Sequence, residues 1–336
     1  MIEHYGHRLA LATICLLYLL TAGWLSRSFP PFNGDEVSNV IHAHNIVSGL
    51  GNRDDTFDDV FAPSVYYLRD SAPEISKLLN SLWVGAWLKA LGLSPWKARL
   101  SSVGAGLFVL LLAYAIGCRL AGPRVGCISA LLFATHPCFL TASCLVRPEI
   151  VLLMGGMGVL WVIIEVPYFL WKPFVVGALC GLLMSVHQNS AAAYVGSTGF
   201  FLAWDKRTSR GRILFLGVLG FAAGLIAILS FVDLRKFILA QRLFYAHFYT
   251  LPLMDFPWRP LSWFQDLLGS LWRGQTYYVQ PNARWEWTAC MHVAWTGTAI
   301  SLFGIGIALR NKNTTAPRQA LKSLLAGLLF TPSRSL

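Results

Sequence analysis

Two adjacent carboxylates, Asp35 and Glu36, follow directly after the first membrane-length apolar run of the sequence. Acidic side chains beside a lipid bilayer are costly to keep there and commonly have a function. Gly34 suits a helix N-cap, and the apolar residues after it recur at helical spacing as far as Gly49. Both acids are therefore predicted in the first turn of a helix, where the helix dipole favours negative charge, and on different faces of it. The alternative is that both only cap an interfacial helix.

Two further polar groups are predicted on the same side of the membrane as Asp35. Arg147 and Glu149 flank Pro148, which suits the first position of a helix and places Glu149 in its first turn. His187 and Gln188 lie at another junction between predicted membrane spans. These groups suit substrate binding. Alternatively, Arg147 and Glu149 are a topological anchor and a cap, and the other pair makes hydrogen bonds between helices.

The chemistry that these side chains suit is the transfer of a sugar. The sequence has no nucleophilic serine or cysteine motif, no P-loop and no specific pattern of metal ligands. A partly desolvated carboxylate can act as the general base for an acceptor hydroxyl, and Arg147 can stabilise a phosphate that leaves. Nucleotide sugars and ATP are normally cytoplasmic, so an enzyme on the outer side needs a lipid-borne donor. Single displacement of a sugar from a polyprenyl phosphate fits these groups.

The elements that must position these residues are membrane helices. The chain has 336 residues, of which 55% are hydrophobic and 13% are charged. Several runs reach the roughly 20 apolar residues that a bilayer-spanning helix needs. The sequence thus predicts an all-α, multi-span integral membrane protein formed by one transmembrane domain. The predicted spans are 9–25, 100–118, 125–143, 149–165, 173–187, 188–204, 212–232 and 290–309.

The placement of the basic residues indicates topology. The net charge is +11, and the basic residues concentrate in the short segments between spans that would lie inside. This bias is the positive-inside signature of membrane proteins. The high charge therefore does not indicate a nucleic-acid surface, and no nucleic-acid partner is expected.

Two large outer loops are predicted, at residues 26–99 and 233–289. Crossing of the membrane by residues 75–93 would move every later basic cluster outside, so this segment is predicted as a second interfacial helix of the first loop. The acidic run 53–59 could bind a divalent cation, although a solvated loop is the favoured interpretation. No residue is assigned to a metal, and no cofactor is certain.

Several motifs, taken in order, resemble those of the GT-C glycosyltransferases, specifically the group of protein O-mannosyltransferases and lipid A aminoarabinose transferases. The motifs are residues 34–36, 93–100, 118–124 and 146–149, and the resemblance covers about residues 9–205. It implies a GT-C-like helical domain in which Asp35 is the catalytic base and Glu36 a site acid that binds acceptor or metal. Arg147 and Glu149 would flank the lipid phosphate and the sugar.

The resemblance also has departures. The family's His-Pro-Pro element corresponds to residues 71–74, which read Ser-Ala-Pro-Glu, and His187 stands where a basic residue is common. Family members continue well past 336 residues, so the chain is expected to stop inside a longer architecture.

The predicted function is a membrane glycosyltransferase that moves a sugar from a polyprenyl-phosphate donor to a lipid, glycan or protein acceptor. The predicted location is the bacterial inner membrane, with the active site on the periplasmic face. One alternative is a multi-pass transporter or flippase, for which inverted repeats and midplane polar residues are typical. A membrane acyltransferase is the other alternative, and it would place a histidine within a span.

Overall fold

The structure, a computed structural model, describes residues 2–28, 34–49, 77–165, 171–186 and 210–230. All regular secondary structure in these ranges is helical, which confirms the predicted fold class. The predicted spans 188–204 and 290–309, the second outer loop and the acidic run 53–59 lie outside the described residues. The helices are α1 (Ile2–Ser28), α2 (Gly34–Val47), α3 (Leu78–Leu91), α4 (Pro95–Ala121), α5 (Pro123–Thr135), α6 (Pro137–Ser143), α7 (Pro148–Glu165), α8 (Lys172–Leu183) and α9 (Arg210–Leu229).

Four of these helices are long and apolar enough to cross a membrane. They are α1, α4, α7 and α9, with apolar segments Gly6–Ser28, Pro95–Ala121, Pro148–Glu165 and Gly211–Leu229. Each one overlaps a span that the hydropathy predicts. Helices α5 and α8 are apolar but shorter, with 13 and 12 residues. The chain is therefore an integral membrane protein with a helical architecture.

The predicted span 125–143 is divided in the structure. Helix α5 ends at Thr135, α6 begins at Pro137, and His136 between them has an extended backbone with φ −73° and ψ 125°. Proline lacks the N–H of a helical hydrogen bond and disfavours helical geometry in the residue before it. Pro137 thus divides the predicted span into two helices.

Helix α3 occupies most of the segment 75–93. It has 14 residues, which at 1.5 Å per residue gives a length of about 21 Å, less than the roughly 30 Å of hydrocarbon in a bilayer. It packs mainly on α2 and α4 and also contacts α7. Its location at the outer interface stays a prediction.

Helix α4 is the longest central element, and local residues define both of its ends. Ser94 caps its N-terminus by accepting a hydrogen bond from Lys97 N, and Pro95 occupies the first turn. Gly122 ends it with a φ of 93°, a conformation that favours glycine, and donates its N–H to Cys118 O. Pro123 then begins α5 at once, so the two helices form a tight pair.

Polar contacts mark the two ends of α4. At one end, which we call the basic end, Arg119 pairs with Glu165 at 3.2 Å, and Lys172 Nζ donates to Ile163 O at 2.6 Å. Arg99 lies at the other end, 20 residues before Arg119. That separation corresponds to about 30 Å of helix, which is the thickness of the hydrocarbon core of a bilayer.

Helices α8 and α9 approach each other through glycines. A Cβ added at Gly177 would overlap the carbonyl oxygen of Gly217, and a Cβ at Gly220 would overlap that of Phe174. Small residues allow membrane helices to pack at close backbone distance, where van der Waals contact replaces the hydrophobic driving force.

We expect Gly220→Ala to lower the stability of the protein in detergent by about 1–3 kcal/mol, because the added methyl group forces the two backbones apart. Gly158→Ala in α7 is the matched control, since a Cβ there meets nothing within 4 Å. That change should leave stability unchanged or raise it by up to about 1 kcal/mol, because alanine favours the helix. Equal effects of the two variants on the thermal melting temperature would contradict the packing argument.

Candidate active site

Glu36 lies in the first turn of α2 and is the centre of a buried polar network. Only 1% of its side chain is exposed, and 3% of that of Arg99. Arg99 donates from Nε to Glu36 Oε1 at 3.0 Å and from Nη2 to Glu36 Oε2 at 2.8 Å. Its Nη1 donates to Ser26 O at 3.2 Å. The two-pronged contact with Glu36 is a strong and directional form of ion pair. Through it and the bond to Ser26, Arg99 connects α4 to α2 and α1.

The same network holds the segment between α6 and α7. Val146 N donates to Glu36 Oε1 at 3.0 Å, and Val146 O accepts from Asn39 Nδ2 at 2.8 Å. Arg147 N donates back to Leu145 O at 2.9 Å, which forms a tight turn centred on Val146. Both polar backbone groups of Val146 are therefore bonded to α2 side chains.

Arg147 and Glu149 form a pair directly after this turn. Arg147 Nη2 donates to Glu149 Oε1 at 2.8 Å, and Arg147 Nε donates to Glu149 Oε2 at 3.2 Å. The side chains are 16% and 41% exposed, so the pair is more open than that of Glu36 and Arg99. Pro148 begins α7 and Glu149 lies in its first turn.

The structure brings together two motifs that are 110 residues apart in the chain. The contact between Glu36 Oε1 and Val146 N places the first turn of α2 beside the residue that precedes Arg147. Asp35 belongs to α2 by its backbone, and its side chain is outside the described residues, as are His187 and Gln188.

Two residues of the network carry no role in the sequence prediction. Arg99 lies within the motif at residues 93–100, and an arginine near the end of an apolar helix is a signal for a buried partner, because an unpaired charge there is costly. Asn39 gives no such signal, since its role depends on a backbone carbonyl.

The described residues contain no group of three or more histidine, cysteine, aspartate or glutamate side chains that could hold a metal ion. The segment 53–59, which the sequence suggests as a possible cation site, is not among them.

Comparison with known proteins gives one finding. Residues 80–231 match the family model described as dolichyl-phosphate-mannose-protein mannosyltransferase. The match includes Arg99, Val146, Arg147 and Glu149 and begins after Glu36. No curated protein and no solved structure matches the chain.

The match bears directly on the class of reaction. It supports a membrane glycosyltransferase that uses a polyprenyl-phosphate sugar. Together with the helical membrane architecture, it supports the membership of this chain in the GT-C glycosyltransferase superfamily.

Proposed function

We propose that the chain transfers a sugar from a polyprenyl phosphate to an acceptor hydroxyl at the end of the helix bundle that carries Glu36 and Arg147. The observation that carries this proposal is the hydrogen bond from Val146 N to Glu36 Oε1. It joins the acidic motif to the Arg147 segment, which supports the proposal of a base and a phosphate-binding cation in one site. The acceptor is a glycolipid, a polysaccharide or a protein.

In the proposed reaction Asp35 is the general base. It takes the proton of the acceptor hydroxyl while that oxygen attacks the anomeric carbon of the sugar. The bond from the anomeric carbon to the phosphate oxygen breaks in the same displacement, and polyprenyl phosphate leaves with the electron pair. No covalent sugar–enzyme intermediate is formed.

Glu36 is proposed as a positioning residue. Both of its carboxylate oxygens accept hydrogen bonds, from Arg99 and from Val146 N. This arrangement favours a role in orienting the first turn of α2 and the Arg147 segment over direct binding of the acceptor or of a metal, the role that the family resemblance implies. A positioned catalytic group needs such support, because small displacements reduce the rate strongly.

Arg147 is proposed to bind the phosphate of the donor, with Glu149 holding its guanidinium. Guanidinium has five N–H donors in a fixed plane, so Arg147 can contact a carboxylate and a phosphate at the same time. The positive charge of Arg147 beside the leaving phosphate would stabilise the negative charge that develops on it in the transition state. His187 and Gln188 stay proposed as further substrate-binding residues.

The proposed location is the bacterial inner membrane, with the reaction on the periplasmic face. Arg119 of α4 and Lys172, the first residue of α8, lie at the basic end. The basic residues Arg8 and Arg124 fall in segments predicted to lie on the same side. The positive-inside rule assigns that end to the cytoplasm. The network around Glu36 would then face the opposite compartment.

The assay that tests the proposal follows the release of polyprenyl phosphate from labelled polyprenyl-phosphate sugars. Purified protein in detergent is given a panel of donors together with a crude envelope extract that supplies acceptors. We expect release that depends on both the protein and the extract. The absence of release from every donor would contradict the transferase and favour the transporter, for which a liposome assay is the measurement.

Arg147→Gln is expected to lower kcat/KM for the donor by about 100-fold, because it removes the charge proposed to stabilise the leaving phosphate. Arg27→Gln is the matched control, since Arg27 is an exposed arginine in the last turn of α1, next to Ser26 of the Glu36 network. That variant should retain nearly the full rate. Equal losses in both variants would show that only the general charge of this end matters.

A further inference from the structure

Helices α2 and α3 pack through faces that combine apolar and polar residues. Val40 and Ala43 of α2 pack with Val84 and Leu88 of α3, and a Cβ at Gly85 would meet Ala43 O at 3.0 Å. Asn80 and Ser81 lie one turn before Val84 and Gly85, and thus on the same buried face of α3. Neither side chain is exposed to any extent, at 0% each.

Helices α2 and α3 carry buried side-chain polar atoms with no hydrogen-bond partner among the residues that the structure describes. They are Oδ1 and Nδ2 of Asn80, Oγ of Ser81 and Oδ1 of Asn39 on α2. The orientation of the Asn39 amide follows from its other contact, because Val146 O can only accept and so must face Nδ2. Its oxygen is therefore the atom without a partner.

Burying such atoms without a partner is costly. Buried polar groups in folded proteins are almost always satisfied by protein, water or ligand. Asn80 offers donors and an acceptor, Ser81 a hydroxyl, and Asn39 an acceptor. This mixture suits a ligand with several hydroxyl groups, each of which donates and accepts.

We propose that Asn80, Ser81 and the Asn39 oxygen form a subsite for the sugar of the polyprenyl-phosphate donor. The inference rests on the proposed function, and it names the groups that recognise the sugar. Asn39 holds Val146, the residue before Arg147, through its Nδ2 atom. Helix α3 also contacts α7, which begins directly after Arg147. A sugar is bonded directly to the donor phosphate, so hydroxyl-binding groups belong beside a phosphate-binding arginine.

The experiment compares two probes that differ only in the sugar: polyprenyl-phosphate mannose and bare polyprenyl phosphate of the same chain length. The dissociation constant of each is measured on the full purified chain in detergent. Asn80→Leu, which is similar in size, is expected to weaken binding of the sugar-bearing probe about tenfold while leaving that of the bare probe unchanged, because a sugar hydroxyl loses its partners. Glucose- and galactose-bearing probes extend the same comparison to other sugars.

The stability of the empty protein gives an independent readout. Asn80→Leu should raise the melting temperature, because the unpartnered amide is removed, whereas a purely structural role for Asn80 predicts a lower one.

Ser81→Ala removes a single hydroxyl and carries the test if Asn80→Leu does not fold. We expect about a threefold loss of the preference for the sugar-bearing probe from it. Thr141→Val is the matched control, since Thr141 on α6 is a buried hydroxyl without a hydrogen-bond partner among the described residues.

The inference is overturned if Asn80→Leu and Ser81→Ala retain the wild-type preference for sugar-bearing probes, which would leave ordered water as the occupant. Equal weakening of both probes overturns it too, because the side chain would then act on the lipid phosphate. If the wild-type protein consumes donors and the Asn80→Leu variant keeps the preference for sugar-bearing probes, the subsite is wrong and the proposed function stands. If the wild-type protein neither binds nor consumes any donor, both the subsite and the proposed function are wrong.

Discussion

Arg99→Met is expected to lower the free energy of unfolding by about 3–5 kcal/mol, because it leaves the carboxylate of Glu36 buried without its cation. Glu36 and Arg99 are almost completely excluded from solvent, and their two-pronged contact has distances of 3.0 and 2.8 Å. Loss of Arg99 also removes the donor to Ser26 O. Chemical or thermal unfolding of the purified protein in detergent measures the change.

The matched control is Arg119→Met at the basic end of the same helix. Arg119 pairs with Glu165 at 3.2 Å, but the two side chains are 62% and 43% exposed. Exposed pairs contribute at most about 1 kcal/mol, so this variant should be nearly as stable as the wild type. Similar losses from Arg99→Met and Arg119→Met would contradict the argument from burial.

The double variant Glu36→Leu/Arg99→Met distinguishes the contribution of the ion pair to stability from the role of Glu36 in positioning the Arg147 segment. Removing both charges avoids an unpaired buried ion, so the double variant should be more stable than Arg99→Met alone. It still leaves Val146 N without its acceptor, which costs about 1–3 kcal/mol. If Glu36 positions the Arg147 segment, the double variant folds but has lost turnover. If the pair contributes only to stability, the double variant recovers turnover relative to Arg99→Met as it recovers stability.

The fold follows from the sequence where a single physical signal dominates. Hydropathy and length predict α1, α4 and α7, because a bilayer demands long apolar helices. Hydropathy does not predict the division at His136, because a single proline changes the average hydropathy of an apolar run very little. Pro137 is nevertheless the visible cause, since it removes a helical N–H and constrains the residue before it.

The site is predictable only in part. The acids at 35 and 36 and the charges at 147 and 149 can be identified from the sequence, because acidic side chains beside a lipid bilayer are costly to keep there and commonly have a function. The direct contact between the two segments is not predictable, since the bond from Glu36 to the segment before Arg147 uses the backbone N–H of Val146, which has no signature in the sequence. The unpartnered atoms of Asn80 and Ser81 likewise become visible only once burial is known.

Asp35→Asn is expected to lower the turnover of the donor by about 10²–10⁴-fold, the range that a general base contributes. The amide has nearly the size of the carboxylate but cannot take the proton of the acceptor hydroxyl. Donor binding should change little, because the phosphate and sugar are assigned to other residues. The rate of polyprenyl phosphate release at saturating donor and the dissociation constant of the donor, measured on the same preparation, separate the two effects.

The neighbouring acid supplies the comparison that makes this prediction specific. Glu36→Gln disturbs the bonds to Arg99 and Val146, so it should lower stability and turnover together. Asp35→Asn should lower turnover and keep the melting temperature close to that of the wild type, with at most about 1 kcal/mol lost from the helix dipole. Unchanged turnover in Asp35→Asn would end the assignment of the base. A loss that parallels the loss of stability would assign Asp35 to the same structural network as Glu36. Only a loss of rate in a fully folded, donor-binding protein identifies Asp35 as the group that accepts the proton.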